Sequence, residues 1–136
     1  MKLSVIIPIY NEAKTCSKLI EKVKLIPIQK QIIVVDDCST DGSGDILKEI
    51  DGIELIQHQV NQGKGSAVQT ALTHIKGDFI VLQDGDLEYN PADYKKMLNQ
   101  LENDSTDVVY GSRWLGKTSS LSYHTIGNRF IRIGEN

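Results

Sequence analysis

Short apolar, largely β-branched runs alternate along this chain with stretches whose apolar residues recur at helical spacing. Few folds accommodate that rhythm. Leu3 to Ile9 reads as a first strand, bounded by Tyr10-Asn11. Ile32 to Val35 is a second, closed by Asp36-Asp37, and Ile53 to Gln57 a third. Phe79 to Leu82 and Val108 to Tyr110 are the fourth and fifth. Between them lie four helical patterns. Leu19, Ile20 and Val23 form one face, with Asn11 expected as its cap and Pro27 as its end. Ile46, Leu47 and Ile50 follow a cap expected at Ser39 or Thr40. Ala67, Val68, Ala71, Leu72 and Ile75 make a third face, which Gly77 is expected to close. Tyr94, Met97, Leu98 and Leu101 make the fourth, after an Asn90-Pro91 start.

Strands alternating with helices imply a mostly parallel central sheet covered on both faces, because apolar residues at nearly every strand position must be buried from both sides. The expected class is α/β, a Rossmann-like arrangement. In open parallel sheets ligands bind beyond the carboxyl ends of the strands. Tyr10-Asn11-Glu12, Asp36-Asp37, Asp84-Gly85-Asp86 and Gly111-Ser112-Arg113 follow the first, second, fourth and fifth strands. All these clusters therefore fall on one edge, which is the argument for a site there.

The chain has 136 residues, the size of one domain, expected to run over 1–136. A net charge of −3 supplies no basic field for nucleic acid, so an anionic ligand would need a metal or a few placed cations. Cys16 and Cys38 have no metal-ligand spacing and read as reduced thiols. No apolar run approaches the ~20 residues of a membrane helix. The expectation is a cytoplasmic protein, with the inner face of a membrane as a second place open to it.

Asp84, Asp86 and Glu88 stand at i, i+2 and i+4, positions that share a face in extended chain. Carboxylates so close repel unless a cation relieves them. Mg²⁺ or Mn²⁺ suits such a place, since one or two carboxylates and phosphate oxygens complete its shell. The bland alternative is a solvated acidic turn. A calcium loop is excluded, because its sixth position is Tyr89 instead of glycine and its twelfth is Lys95. Asp36 and Asp37 are candidates to accept hydrogen bonds from a nucleobase or ribose, or else are turn and cap residues. Asn61-Gln62-Gly63-Lys64-Gly65-Ser66 is not a Walker loop, since His58 stands where the first glycine belongs. Its two glycines still lead into a helix and bring Lys64 as a candidate contact to an anion. Arg113 follows the fifth strand directly, and guanidinium suits phosphate. Ile126, Phe130 and Ile133, with Arg129 and Arg132 beside them, have helical spacing and suggest a cationic amphipathic segment on a membrane, or a helix lacking its partner. His58, His74 and His124 form no cluster by spacing. A phosphoacceptor receiver domain is the rival fold-level reading. It is disfavoured because its acidic pair follows the first strand and its late lysine is here Ser112-Arg113.

Taken together, Val5-Ile6-Ile7-Pro8-Ile9-Tyr10-Asn11-Glu12, Val34-Val35-Asp36-Asp37 with Ser39-Thr40-Asp41-Gly42, Asn61-Gln62-Gly63-Lys64-Gly65, Asp84-Gly85-Asp86 and Gly111-Ser112-Arg113 resemble the inverting family-2 glycosyltransferases. The likeness is to the polyprenyl-phosphate subgroup typified by dolichol-phosphate mannose synthase. The resemblance implies a nucleotide-sugar-binding fold of the glycosyltransferase A type and metal-dependent transfer from a GDP- or UDP-sugar. The implied acceptor is a polyprenyl (dolichyl or undecaprenyl) phosphate, within cell-envelope glycan biosynthesis. A glycan or other alcohol acceptor, or a non-catalytic nucleotide-binding module, stands as the alternative. It implies nucleoside contacts from Pro8, Tyr10, Glu12 and Asp36, and metal ligation by Asp84 and Asp86 with Glu88 as a third ligand. Arg113 and Arg129 would hold phosphates, and Asp86 and Arg113 would be the catalytic pair. Two departures stand out: Cys38 occupies a place where glycine is common, and Gly85 one where alanine is usual. Relatives continue past the equivalent of Asn136, so the chain is expected to be truncated on the acceptor side.

Overall fold

The computed structural model describes residues 3–87, 89–103, 108–112 and 126–133. Its strands are β1 (Leu3–Ile9), β2 (Lys30–Asp36), β3 (Glu54–Gln57), β4 (Phe79–Leu82), β5 (Val108–Ser112) and β6 (Ile126–Arg132). Its helices are α1 (Cys16–Leu25), α2 (Ser43–Lys48), α3 (Lys64–Leu72) and α4 (Tyr94–Asn103), the last entered through a single 3-10 turn over Pro91–Asp93. They build one six-stranded sheet in the order β3-β2-β1-β4-β6-β5. β1 pairs in parallel with β2 and β4, and β2 with β3.

Alternation along the strands sorts the core into two layers. Leu3, Val5, Ile7 and Ile9 of β1, Ile32 and Val34 of β2, and Phe79 and Val81 of β4 face one side. There they meet Leu19, Ile20 and Val23 of α1, Leu47 of α2, and Tyr94, Met97, Leu98 and Leu101 of α4. Ile6, Ile33, Val35 and Ile80 face the other side, against Ala67 and Ala71 of α3. The small residues of α3 let that helix lie close on the sheet. Both faces are covered, as the apolar strands require.

Several local expectations give way to longer-range contacts. α1 starts after Thr15, not at Asn11, whose φ of 53° places it in the left-handed region. α2 starts after Gly42 (φ 94°), beyond Ser39 and Thr40. α3 ends at Leu72 with Thr73 as its cap, before Gly77. Gly77 donates its N–H instead to the Ser4 hydroxyl at the base of β1 (2.9 Å). Asn90 does cap its turn, its side chain accepting from the Ala92 N–H at 3.1 Å.

The largest correction concerns the late arginines. The segment from Ile126 is not a helix lying on a membrane. It is β6, inserted antiparallel between β4 and β5, with Val81 opposite Phe130 and Leu82 opposite Arg129. Two flanking strands satisfy its backbone, which outweighs the i, i+4 spacing of Ile126 and Phe130. Arg132 donates to the Leu101 carbonyl at the end of α4, and its guanidinium lies 5.8 Å from the Phe79 ring centre. No helix among the described residues is long and apolar enough to cross a membrane.

Candidate nucleotide and metal site

Beyond the carboxyl ends of β1, β2 and β4 lies a cleft of about 400 Å³. Pro8, Ile9, Tyr10 and Glu12 line it from β1 and its loop, Asp37 from the end of β2, Gly63 and Lys64 from the start of α3, and Asp84, Gly85 and Asp86 from beyond β4. Of the sequence-predicted residues, Pro8, Tyr10, Glu12, Asp37, Lys64, Asp84 and Asp86 are thereby brought together. Tyr10 is half exposed at the rim. Glu88 and Arg113 lie outside the described residues, and Arg129 is placed by its backbone in β6, opposite Leu82.

Asp36 is the candidate left out of the cleft. Its buried carboxylate accepts from the Ser39 N–H and the Gln57 amide, each at 3.1 Å. Gly44 packs so tightly here that a Cβ on it would stand 2.7 Å from Asp36 Oδ2.

Asp37 is buried too, yet touches the cleft. Its Oδ1 accepts from the Gln62 N–H (2.9 Å) and from His58 Nδ1 (2.7 Å), and its Oδ2 from the Gly63 N–H (2.8 Å). Burial pushes this carboxyl up, but the hydrogen bonds from Gln62, His58 and Gly63 outweigh it and hold the group below its ordinary range. A carboxylate only accepts, so His58 Nδ1 carries a proton, and Nε2 meets the Thr70 hydroxyl at 2.9 Å. Asp37 thus fixes the glycine-bearing loop before α3. The Gln62 and Gly63 N–H groups are bonded to a carboxylate of the chain itself. Gly63 itself needs its freedom here, at φ 89°.

A second set of side-chain bonds ties the β1 loop to the β2 loop. Ser39 Oγ accepts from the Asn11 N–H (2.9 Å), Ser43 Oγ from the Glu12 N–H (2.9 Å), and Asp41 Oδ2 from the Ala13 N–H (3.0 Å). Asn11 Oδ1 accepts from the Thr40 N–H at 2.8 Å. Asp41 also accepts from the Ser43 hydroxyl and N–H, and these bonds with that from Ala13 lower its carboxyl pKa. The short polar residues after β2 act as mutual braces for the two loops.

β4 ends at Leu82 and the chain bends over 85–87, so Asp84 and Asp86 do not stand in the extended strand that was expected to make them converge, and Glu88 lies outside the described residues. Asp84 and Asp86 reach the cleft through that bend. Gly85 between them is pressed against β1: a Cβ would stand 2.6 Å from Ile9 Cδ1 and 3.3 Å from the Pro8 carbonyl. The Thr15 hydroxyl donates to the Gly85 carbonyl at 3.0 Å. Gln83, fully buried, accepts from the Tyr94 hydroxyl at 2.6 Å and donates to the Asp84 carbonyl at 3.3 Å. Burial holds the Tyr94 phenol far above its ordinary pKa, so it remains a donor. Sequence reading missed Gln83, Tyr94 and His58 as supports. Gln83 and Tyr94 carry a polar group within an apolar pattern, whereas His58, between Gln57 and Gln59, gives no such signal.

The Lys64 ammonium sits on Asp84 Oδ1. A protein cation thus already occupies a carboxylate oxygen of the acidic turn. Two carboxylates and an open cleft fit a divalent ion that draws its remaining ligands from phosphate and water. Among the described residues no group of three or more His, Cys, Asp or Glu stands ready to hold a metal without such help.

The sequence model of Glycosyl transferase family 2 matches residues 4–135. The dolichol-phosphate mannosyltransferase of Pyrococcus furiosus is 31% identical over 131 residues, covering 91% of this chain and 37% of that protein. The dodecaprenyl-phosphate galacturonate synthase of Rhizobium johnstonii is 31% identical over 122 residues, covering 83% and 36%. Among solved structures, the mannosyltransferase of Pyrobaculum calidifontis in complex with GDP-Man and Mn²⁺ superposes with a TM-score of 0.73 at 25% identity, over 81% of this chain and 35% of that one. The chain thus spans little more than a third of each of these proteins.

Proposed function

This chain belongs to glycosyl transferase family 2, and from that premise we propose that it binds a nucleotide diphosphate sugar and a divalent cation and passes the sugar, with inversion, to a polyprenyl phosphate. The observation that carries the reading is the meeting of Asp84, Asp86 and Lys64 in one cleft beyond the carboxyl ends of a parallel sheet. Relatives named for dolichol-phosphate and dodecaprenyl-phosphate sugar transfer support the acceptor, and the GDP-Man and Mn²⁺ of the Pyrobaculum enzyme support donor and metal.

Asp84 and Asp86 hold the cation, with Glu88 as a third ligand. Mg²⁺ or Mn²⁺, when bound, supplies Lewis-acid neutralisation of the departing nucleoside diphosphate. Pro8, Tyr10 and Glu12 bound the nucleoside, and Tyr10 has the exposed ring to stack on it. Asp36 and Asp37 shape that end of the cleft through the loops they brace. Arg113 and Arg129 share the phosphate charge. A phosphate monoester has a second pKa near ~6, so the acceptor is already anionic at neutral pH and needs little help from a base. That suits a cleft in which His58, the nearest described histidine, is committed to Asp37 and Thr70.

The test supplies the purified protein with GDP- and UDP-sugars, Mn²⁺ and a polyprenyl phosphate, and follows sugar on the lipid. Transfer is expected, abolished in Asp84→Ala and Asp86→Ala. No transfer, with nucleotide binding indifferent to both substitutions, removes the reading.

A further inference from the structure

Lys64 is the first residue of α3, and its side chain crosses the cleft to reach Asp84, 20 positions along the chain. Its backbone is held from behind, because Asp37 grips the N–H groups of Gln62 and Gly63. Its side chain is held only at the tip and is 64% exposed. An exposed ion pair of one lysine and one carboxylate contributes little to folding. Here it does something else: it places a positive charge on the oxygen that a metal would need. An ammonium and a divalent ion cannot both sit on Asp84 Oδ1 without strong repulsion. An ammonium has three donors and no acceptor, so once displaced it must find another anion.

Resting on the reading above, we propose that Lys64 is a place-holding cation that couples metal binding to nucleotide binding. In the metal-free cleft it neutralises Asp84. When a divalent ion takes Asp84 and Asp86, the ammonium is released and turns to the diphosphate arriving with that ion. Metal alone must displace Lys64 with no new partner for it. Nucleotide alone must draw Lys64 away and leave the acidic turn facing phosphate. Only the two together give both Asp84 and Lys64 a partner of opposite charge. Because such coupling is reciprocal, each ligand raises the affinity of the other by the same factor.

The experiment is calorimetric titration of the purified chain with Mn²⁺ alone, and with GDP and UDP in the absence and presence of Mn²⁺. Lys64→Met is compared with wild type and with Lys76→Met, which removes the same charge from the exposed segment after α3 that meets the opposite edge of the sheet. Lys64→Met is expected to bind Mn²⁺ alone about two- to fivefold more tightly, since its competitor is gone. It is expected to bind nucleotide with Mn²⁺ about tenfold or more weakly, since a charge-assisted contact is lost. The factor by which Mn²⁺ raises nucleotide affinity shrinks accordingly. Unchanged or weaker Mn²⁺ binding in Lys64→Met overturns the proposal, as do equal shifts in Lys76→Met, which would show a diffuse charge effect. If wild type binds both ligands but these shifts are missing, only the role of Lys64 fails. If wild type binds neither, the proposed function fails with it. Lys64→Gln and thermal melting of each variant separate loss of binding from loss of fold.

Discussion

Replacing Asp37 by asparagine changes one oxygen to an amino group and leaves the side-chain shape intact. The wild-type carboxylate accepts three hydrogen bonds, two on Oδ1 from Gln62 and His58 and one on Oδ2 from Gly63. Asparagine has a single acceptor oxygen. Placed at Oδ1, it keeps two bonds but sets its NH₂ against the Gly63 N–H, donor facing donor. The two retained bonds also change from charge-assisted to neutral. A hydrogen bond to a charged group contributes ~1.5–3 kcal/mol, against ~0.5–1.5 for a neutral one, and a stranded donor costs ~1–3. Some of that is recovered as water reaches the exposed loop, leaving an expected loss of about 2–4 kcal/mol at neutral pH. Urea unfolding followed by circular dichroism measures it.

The pH dependence gives a second, independent check. The folded Asp37 carboxyl lies below its ordinary value. The folded state therefore binds this proton less readily than the unfolded state, and the stability from Asp37 is complete above the unfolded pKa near ~3.9. It is lost as pH falls through the lower, folded value. The gap between wild type and Asp37→Asn should narrow below about pH 4. A variant within about 0.5 kcal/mol of wild type, yet unable to bind nucleotide, would refute the reasoning. Asp37 would then be a ligand contact and not the anchor of the loop before α3.

Three further substitutions test the supports of the acidic turn and its neighbours. Tyr94→Phe keeps the ring but strands the buried Gln83 acceptor, so it should lose about 1–3 kcal/mol in the same unfolding assay. Gly85→Ala should cost about 1–3 kcal/mol because its methyl meets Ile9 Cδ1, and most of that coupling should vanish in a double-mutant cycle with Ile9→Val, which deletes that atom. A cycle with no coupling would mean that Glu12 Cγ or the Pro8 carbonyl, at 3.2 and 3.3 Å, sets the limit instead. Cys38 stands at φ 62° with only a long contact from its sulfur to the Gln59 carbonyl, so Cys38→Gly should raise stability by up to about 1 kcal/mol, and a loss would show that the thiol contact outweighs the strain.

What could be read in advance follows from the range of the interactions involved. β1, β2 and β4 each contain an apolar run, and burial on both faces is a property each carries in its own residues, so all three were legible. The α4 stripe of Tyr94, Met97, Leu98 and Leu101 was legible for the same reason. The starts of α1 and α2 were not, because Asn11, Ser39, Asp41 and Ser43 bond across loops about 30 residues apart instead of capping the helix next to each. A residue such as Asn or Ser offers the same oxygen to a local or a distant N–H, and sequence alone does not say which one arrives. β6 failed for a related reason. Isoleucine and phenylalanine four apart lie on one face of a helix and equally on one face of a strand. Only the open edges of β4 and β5, more than forty residues from β4 to β6, decide between them.

The site divides along the same line. That Asp84 and Asp86 stand beyond a parallel strand followed from strand order alone, and the cleft contains both. Which acid of the Asp36-Asp37 pair faces the cleft did not follow, since both are acids at one strand end and differ only in their partners. Asp36 is turned to Gln57 and Ser39, on the side where Gly44 leaves no room. Asp37 reaches across to the loop before α3, and through it sets where Lys64 begins. A chain of fixed contacts therefore runs from the end of β2, through Asp37 and Gly63, to the exposed lysine that meets Asp84. On the proposed function, that arrangement keeps Asp84 and Asp86 in place on the sheet while the Lys64 ammonium can give way to a metal.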